Sequence, residues 1–405
     1  MLDAHELART QLERDRVRTA RARAWTKTDL FAHKIERMSP SPLAFLRGAA
    51  PMFYEVLARV PALAEGPPGE GFIIGDLHIE NFGAYRPDPE KGRHKNREPD
   101  AVFYANDFDD CTIGPWRFDV LRLTTSLILG GRELGANGPE ALVLANALLE
   151  SYASEIARPH ALPPFPRTVK LLLERATTRD RRALLDARTE KAKKTRRFVR
   201  GARYADLSAT LARDAERAFA DYVRAHFGKK HHPLYEIEDM AFRIAGTGSL
   251  GCLRIAVLVR GKGGRHGEWV FDMKEEDAQA SAAKVVPKNS LRGSDRVERG
   301  LRACLANVPR ALGRTKLRGL PMLVRRLTPQ EDKLDLLHIP GNELVPLARL
   351  LGALVGRAHT RGATKKPKGG WKAADVRHVL DSAVRLAGIH EATYLAFCQL
   401  SKEMR

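Results

Sequence analysis

Apolar residues recur at helical spacing towards both ends of the chain. The pattern predicts an exposed, charged helix over residues 3–24 and a helix over 41–60 that begins at Ser41. The helical period returns after residue 343 and ends at the glycine-containing loop 362–370. Further helices are predicted over 118–133, 139–157, the basic stretch 168–226 and 373–402.

Shorter apolar runs with β-branched and aromatic residues predict strands. GFIIG at 71–75 and AVFYAN at 101–106 flank a polar, proline-containing insert at 86–100. From 242 to 274, apolar runs alternate with glycine-rich turns, which is typical of β-hairpins, and PMLVRRL at 321–327 adds another strand. Because helices precede and follow a small sheet, the predicted fold class is α+β.

Composition indicates a folded chain of two or three compact units, or of one bilobal unit. The 405 residues are 43% hydrophobic, close to the globular norm of about 45–50%. We expect a helical lobe over 1–235, a β lobe over 236–340 and returning helices over 341–405. No apolar run approaches the roughly 18 residues of a transmembrane helix, and no signal peptide is recognisable. Four scattered cysteines support neither a zinc nor a redox motif and fit a cytoplasmic protein.

The charge balance suggests polyanionic partners. With 69 Lys and Arg against 49 Asp and Glu, the net charge is +20. The densest basic run, 181–203, could bind nucleic acid, but it contains one aromatic residue, and a solvated face with paired charges is the preferred interpretation. Nucleic-acid binding is therefore kept as an alternative function. It predicts a salt-dependent interaction that is lost when four side chains are neutralised: Lys193, Lys194, Arg196 and Arg197.

The most informative peptide is GDLHIEN at 75–81. Asp76 is followed five positions later by Asn81, which is the spacing of the kinase catalytic loop. A carboxylate there can accept the proton of an attacking hydroxyl, and an amide oxygen can coordinate Mg²⁺, a cation that prefers oxygen ligands. Asp76 is thus the candidate base and Asn81 a candidate metal ligand.

A second acidic peptide, NDFDD at 106–110, follows the next predicted strand. Kinases place another metal-binding carboxylate after such a strand, so Asp107 is a candidate Mg²⁺ ligand and Asp109 an auxiliary one. The alternative is that these acids bind no metal and cap a turn, or pair with Arg117 and Arg122.

A glycine-rich turn and a lysine supply the elements of a nucleotide site. The turn between two predicted strands has the pattern G-x-G-x-x-G, in which backbone amides can cover ATP phosphates, and a later strand ends in Lys274, which can reach the phosphates. A Rossmann dinucleotide site would instead require a helix from Leu250, and the following CLRIAVLVRG favours a strand. The candidate residues of the turn are Gly246, Gly248, Ser249 and Gly251.

A kinase lysine is held by a glutamate on a helix, and Glu298 is the candidate. Glu275 is a rival, and the spacing of Asp295 and Glu298 also fits a helix cap. Lys274 could alternatively form a surface ion pair with Glu275 or Glu276. A buried strand position for Lys274 would favour the nucleotide site over the surface pair.

The peptides GDLHIENFG and NDFDD, followed by RFDVLRL, resemble the aminoglycoside-phosphotransferase branch of the protein-kinase-like superfamily. The resemblance implies a catalytic base and Mg²⁺ ligands at the positions named above. It further implies that Asp119 is structural and that His78 stabilises the loop. One departure is Ile74, which stands where the branch often has histidine.

The order of these features is that of a circularly permuted kinase. The catalytic loop comes first, the glycine turn, Lys274 and a hinge strand follow, and the helix that should precede the catalytic loop comes last, in LARLLGALVGRAHTRG. Permutation is permitted physically because domain termini are often close at the surface.

The whole chain resembles a bacterial domain-of-unknown-function family, the one numbered 2252. Its features recur in order over residues 37–362: RMSP, SPLAFLRGAA, GDLHIENFG, NDFDD with GPWRFDVLRL, GTGSLG, MKEE, RVERG, LVRRL and GRAHTRG.

These patterns predict a bilobal, circularly permuted kinase-like fold and an ATP- and Mg²⁺-dependent transfer of phosphate to a hydroxyl of an unknown acceptor. A nucleotide-binding pseudokinase or a nucleotidyl transferase on the same fold is the first alternative. A basic nucleic-acid-binding protein is the second.

Overall fold

The computed structural model describes residues 2–87, 100–131, 133–192, 195–228, 233–262, 267–329 and 331–403. Its helices are α1 Ala4–Arg21, α2 Leu30–Met38, α3 Pro42–Gly48, α4 Ala50–Arg59, α5 Pro61–Ala64, α6 Arg117–Gly130, α7 Gly138–Ala157, α8 Arg167–Thr178, α9 Arg181–Asp186, α10 Ala209–Phe227, α11 Gly293–Cys304, α12 Gly341–Arg361 and α13 Ala373–Glu403.

The strands are β1 Glu70–Ile73, β2 Phe82–Tyr85, β3 Val102–Ala105, β4 Thr112–Pro115, β5 Thr189–Ala192, β6 Thr195–Phe198, β7 Tyr204–Ala205, β8 Ile237–Arg243, β9 Arg254–Val259, β10 Trp269–Glu275, β11 Gly313–Leu317, β12 Leu320–Leu327, β13 Asp332–Lys333 and β14 Ala363–Lys365. The predicted α+β class is confirmed: helices combine with several antiparallel sheets.

The main sheet has six strands in the order β11-β12-β10-β9-β8-β7, and neighbouring strands are antiparallel. One of its faces packs against α10 through residues such as Phe219 and Phe271. The other face carries Ala256, Leu258 and Val270, which pack with Phe198 of the β5–β6 hairpin. The central strands β9 and β10 therefore alternate between two buried surfaces, as strands covered on both faces require.

A larger helical core is formed mainly by α1, α3, α4, α6, α7, α12 and α13, and it also takes up the short strands around the acidic peptides. Strand β1 pairs with β4 and with β14, and β2 pairs with β3 and with β13. Segments from the end of the chain thus flank the strands that carry the first acidic peptide.

Several sequence-based predictions need correction. The helix predicted over 41–60 is divided at Ala49 into α3 and α4, although Ser41 caps α3 as expected by accepting a hydrogen bond from the Ala44 amide at 3.1 Å. The basic stretch 168–226 is not all helical, because it contains the β5–β6 hairpin. Helix α1 is exposed on one face only, since its apolar face packs against α13.

Other predictions agree with the structure. Helices α6, α7 and α13 form close to the predicted bounds, and the chain after Leu250 turns into β9 and forms no helix, which removes the Rossmann alternative. Most of the polar insert predicted over 86–100 lies outside the described residues. Within the described part of the chain, no helix has both the length and the apolar character needed to cross a bilayer.

Candidate functional site

A cleft of about 1500 Å³ lies between the helical core and the six-stranded sheet. Most of the residues singled out in the sequence line it, although they come from both halves of the chain. They are Asp76, Asn81, Asp107, Asp109, Gly246, Gly248, Ser249 and Lys274. Gly251 and Glu298 are not among the lining residues. The cleft is large enough for a nucleotide and an acceptor together, since ligand pockets typically measure about 300–1,000 Å³.

The first acidic peptide is held in place by Asp119 at the start of α6. Its carboxylate accepts hydrogen bonds from the amides of Ile74 at 2.6 Å and Gly75 at 2.8 Å. The same carboxylate contacts His359 Nε2 of α12 at 3.0 Å, with both side chains fully buried. The structural role expected of Asp119 is therefore confirmed, and the contact joins the peptide to the late helix.

Gly75 fits this turn for a conformational reason. Its φ of 88° lies in the left-handed region, and its α-carbon faces the Asp110 carbonyl so closely that a side chain would not fit. The glycine thereby brings the two acidic peptides against each other.

Asp76 is paired with the buried Arg122. Arg122 Nε donates to Asp76 Oδ1 at 2.9 Å, and a second guanidinium nitrogen also contacts Oδ1. Burial raises the pKa of Asp76 to about 7, against the opposing charge of Arg122. Sequence analysis considered an ion pair between Arg122 and the second acidic peptide as an alternative to metal binding. In the structure Arg122 pairs with Asp76 of the first acidic peptide instead. Because Arg122 engages Oδ1, Oδ2 remains available, and it lies 3.7 Å from the position that a Cβ on Gly248 would occupy.

Asn81 lies in a single 3₁₀ turn after the loop and is buried. Its amide nitrogen donates to the Asp76 carbonyl oxygen at 2.5 Å. Since the nitrogen is used in this way, the side-chain oxygen is the atom left to accept a ligand. This arrangement fits the predicted role of Asn81 as an oxygen ligand for a cation.

The second acidic peptide divides its carboxylates among different partners. Asp107 is exposed to the cleft, and one of its oxygens accepts from the Asp109 amide at 3.4 Å. Asp109 forms an ion pair with Lys274. Asp110 accepts hydrogen bonds from the amide and hydroxyl of Ser281 at 2.8 and 2.9 Å. Asp107 is therefore the carboxylate of this peptide with the greatest freedom to bind a cation.

The glycine-rich turn reaches over the catalytic-loop candidate and is held from outside by α2. The carbonyl of Gly248 accepts from Lys34 Nζ at 3.3 Å, and that of Gly246 accepts from Arg37. Gly246 has a φ of 80°, which favours glycine. Gly251 serves packing, because a side chain there would collide with the Arg18 carbonyl of α1.

Lys274 occupies a buried position on β10, opposite Arg254 on one neighbouring strand and Leu323 on the other. This removes the surface ion pair as an explanation for the residue. Its ammonium contacts Asp109 and lies 3.7 Å from Glu276 Oε1.

The prediction that Glu298 pairs with Lys274 is wrong. Glu298 lies on α11, where it binds Arg302 at 2.8 Å and Arg314 at 3.3 Å. The cap formed by Asp295 is also absent, since no side chain caps α11. The rival Glu275 points away from Lys274 and pairs with Arg21. Alternation along β10 explains the outcome, because residues 274 and 276 share a face and 275 has the opposite one.

His78 lines the cleft beside Asp76 and is buried. Burial, with the nearby charges of Arg47 and Arg122, keeps the pKa of His78 well below its usual value, so the imidazole is neutral. Its Nδ1 has no hydrogen-bond partner among the described residues. The expected loop-stabilising role is therefore not visible as a hydrogen bond from Nδ1.

The basic run of the β5–β6 region is largely paired where the structure describes it. Arg196 binds Asp186 at 2.6 Å, and Arg197 binds Glu190 at 2.7 Å. Lys193 and Lys194 lie outside the described residues. In this part of the run the charges are paired, with Arg196 buried and Arg197 exposed, and nucleic-acid binding stays an untested prediction.

Comparison with known proteins places most of the cleft in one family. Residues 26–400 match the family described as "Uncharacterized protein conserved in bacteria (DUF2252)". The chain belongs to this family. The DUF2252 region includes both acidic peptides, the glycine-rich turn and Lys274, and only α1 among the elements of the cleft precedes it. The DUF2252 description states no activity. No curated protein and no solved structure matches the chain.

Some residues of the cleft were not recognised as such in the sequence, where Glu276 was considered only as a surface partner of Lys274. Glu276 is buried beside Lys274, and burial raises its pKa to about 7 against the charge of Lys274. Its position two residues after Lys274 on a strand was the signal that could have identified it. Lys34 and Arg37 gave no such signal, since their contacts with the turn depend on the tertiary fold.

Proposed function

We propose that the protein is an ATP- and Mg²⁺-dependent phosphotransferase of the kinase type, acting on a hydroxyl of an unidentified acceptor. The observation that carries the proposal is the convergence of Asp76, Asp107, the glycine-rich turn and Lys274 on one cleft. Kinase-type phosphoryl transfer relies on positioning and charge neutralisation, and these residues supply both.

Asp76 would act on the acceptor. Its Oδ2 is free of Arg122 and can accept the proton of the hydroxyl as the new oxygen–phosphorus bond forms and the bond between the β- and γ-phosphates breaks. ADP then leaves, and the proton passes from Asp76 to solvent. Arg122 keeps the carboxylate orientated, and it opposes the rise in pKa that burial causes.

The phosphates would lie between the glycine-rich turn and Lys274. Asn81 and Asp107 offer an amide and a carboxylate oxygen, and Mg²⁺ commonly binds through one or two such groups together with phosphate oxygens. The described residues contain no cluster of three or more acidic, histidine or cysteine side chains arranged for a metal. Mg²⁺ would neutralise charge that develops on the phosphates.

The proposed fold is a circular permutation of the kinase arrangement. In its support, α12 is joined to the loop that bears Asp76 through the contact between His359 and Asp119, and β14 pairs with β1, which enters that loop. These contacts hold the late helix next to the loop that it follows in sequence.

A second candidate is a pseudokinase or nucleotidyl transferase on the same scaffold. The observation that favours it is the pairing of two key groups: Lys274 is held by Asp109 and Asp76 by Arg122. A phosphotransferase has to release Lys274 when the nucleotide binds. A protein that only binds the nucleotide has no need of a free Asp76 carboxylate. The same holds for a protein that transfers the nucleotidyl group, which contains the α-phosphate, instead of the γ-phosphate.

The test combines binding and turnover with ATP labelled on the γ-phosphate. We expect Mg²⁺-ATP to raise the melting temperature, because a ligand that binds only the folded state stabilises it. We expect Asp76→Asn to reduce phosphate release or transfer by roughly 100-fold or more with little loss of binding. We expect Lys274→Met to weaken binding by about tenfold.

A matched control is Asp381→Asn, an exposed aspartate on α13 that should leave both measurements unchanged. Binding without γ-phosphate transfer would identify a pseudokinase, and transfer of label from the α-phosphate would identify a nucleotidyl transferase. Absence of any nucleotide-induced stabilisation would contradict the proposal.

A further inference from the structure

A second cavity, of about 390 Å³, adjoins the main cleft on the side of the sheet that carries Lys274. The two cavities share six residues: Asp107, Asp109, Gly246, Ser249, Lys274 and Lys333. A ligand whose phosphates lie against Lys274 can therefore extend into the second cavity. Asp76 and His78 line only the main cleft, so the proposed chemistry lies outside this second space.

The second cavity combines an apolar wall with a concentration of positive charge. Its apolar residues include Val297, Leu301 and Leu323, which can cover a planar or apolar part of a ligand. Besides Lys274 at the junction, the cationic side chains come from five separate segments of the chain. They are Arg188, Arg243, Arg254, Arg325 and Lys333.

Two of these arginines share one buried carboxylate. Arg254 Nε lies 2.9 Å from Asp272 Oδ1, and Arg243 Nη1 lies 2.8 Å from Asp272 Oδ2. Although burial opposes it, the charges of Arg243 and Arg254 keep the pKa of Asp272 well below its usual value. One carboxylate between two guanidinium groups leaves a local excess of one positive charge.

Three of the other four carboxylates of the cavity are also engaged, Asp109 with Lys274 and the other two with arginines, whereas Asp107 at the junction is exposed to the cleft. Glu331 binds Arg325 at 3.1 Å. Asp332 binds Arg175 at 2.9 Å and Arg179 at 2.8 Å, and neither of these arginines lines the cavity. The three engaged carboxylates therefore have little capacity left to balance further cations.

Arg188 and Lys333 remain as cations whose side chains have no hydrogen-bond or ion-pair partner among the described residues. Lys333 lines both cavities and Arg188 only the second. An anion bound between them would accept charge-assisted hydrogen bonds from both side chains, which have no such acceptor among the described residues.

We propose that the second cavity holds the nucleoside end of the bound nucleotide, and that Arg188 and Lys333 select a nucleotide bearing an additional phosphate on its ribose. This inference rests on the proposed nucleotide-binding function of the main cleft. The 5′ phosphates then lie against Lys274, the base against the apolar wall, and the ribose phosphate between Arg188 and Lys333.

The test is calorimetric binding of two nucleotides that differ by one group, AMP and adenosine 3′,5′-bisphosphate. We expect the bisphosphate to bind the wild-type protein about tenfold more tightly. Arg188→Gln and Lys333→Gln should each reduce that ratio towards one while leaving AMP affinity largely unchanged. Arg213→Gln removes an exposed arginine on α10 away from both cavities and should leave the ratio intact.

Equal affinity of the wild-type protein for the two nucleotides, or a ratio that Arg188→Gln does not change, would overturn the inference. The inference would also be overturned if the wild-type protein bound neither of the two nucleotides. Neither compound carries a transferable γ-phosphate, so these outcomes are independent of the turnover assay. The phosphotransferase proposal would survive such a result if γ-phosphate transfer from ATP still depended on Asp76.

Discussion

Two carboxyl groups of the cleft, Asp76 and Glu276, lie where a negative charge is disfavoured. Burial raises the pKa of each to about 7, and neighbouring cations oppose the shift without cancelling it. The positive groups are Arg122 for Asp76, and Lys274 and Arg296 for Glu276. Both carboxyls therefore bind protons more strongly in the folded protein than in the unfolded chain, where their pKa values are near 4.

This difference predicts a pH-dependent stability. Between about pH 5 and 7, the folded state retains protons that the unfolded state has lost, so the free energy of unfolding falls as pH rises. Each group contributes a slope of at most about 1.4 kcal/mol per pH unit. We expect Asp76→Asn and Glu276→Gln each to flatten the dependence in urea unfolding of the metal-free protein at pH 5, 6, 7 and 8. Asp381→Asn should preserve the wild-type slope, and a steep slope that survives both cleft variants would refute the assignment.

At the scale of residues, sequence spacing identified groups within one peptide but not their partners. The interval between Asp76 and Asn81 was enough to select both, and the strand pattern placed Lys274 on a strand but left open whether it was buried or in a surface ion pair. The pairs of Asp76 with Arg122 and of Lys274 with Asp109 join separate segments, and local pattern carries no information on which segments meet. For the same reason Glu298 was chosen wrongly as the partner of Lys274.

At the scale of elements, the glycine-rich turn depends on α2 for its position. A glycine turn has few side chains to fix it, so contacts from outside restrict its conformations. Lys34 and Arg37 supply two such contacts through backbone carbonyls. Lys34 also pairs with the buried Asp15 at 3.0 Å, so its loss would disturb α1 as well. Arg37 is half-buried and gives the cleaner test.

We expect Arg37→Met to weaken Mg²⁺-ATP binding about three- to tenfold, because the freed turn must be ordered again when the nucleotide binds. The methionine keeps much of the side-chain volume, so the melting temperature without ligand should change by no more than about 2 °C. Titration calorimetry measures the affinity, with Arg23→Met on an exposed neighbouring segment as the matched control. Equal affinities of Arg37→Met and the wild type would show that the contact does not position the turn.

Element type was predictable where one periodicity extended over many residues, as in α7, α12 and α13. The β5–β6 hairpin was missed because its charged residues suggested a solvated helix. In the structure Arg196 and Phe198 alternate with exposed neighbours, and Phe198 completes the core on one face of the six-stranded sheet. Burial of an arginine against Asp186 depends on tertiary contacts, so a pattern based on hydrophobicity does not detect it.

At the scale of the whole molecule, the order of segments matters less than the contacts between them. Helix α1 packs against α13 at the other end of the chain, and Leu2 lines a groove with Ile389 and Thr393. From Thr393 to Glu403, α13 continues for a distance of roughly 15 Å at 1.5 Å per residue. A short flexible linker can therefore join the two ends.

This geometry makes the proposed permutation testable by reversing it. A chain that begins after Gly228, between α10 and β8, and joins residue 403 to residue 2 through about ten Gly and Ser residues has the β lobe first, as in a kinase. Ten extended residues span up to roughly 33 Å, more than the estimated gap. We expect this variant to fold with a melting temperature within about 10 °C of the wild type and to keep its stabilisation by Mg²⁺-ATP, because every contact of the cleft is retained. The same opening without the linker gives two fragments and serves as the control. A linked chain that folds but no longer responds to the nucleotide would mean that the native order of segments is itself required for the site.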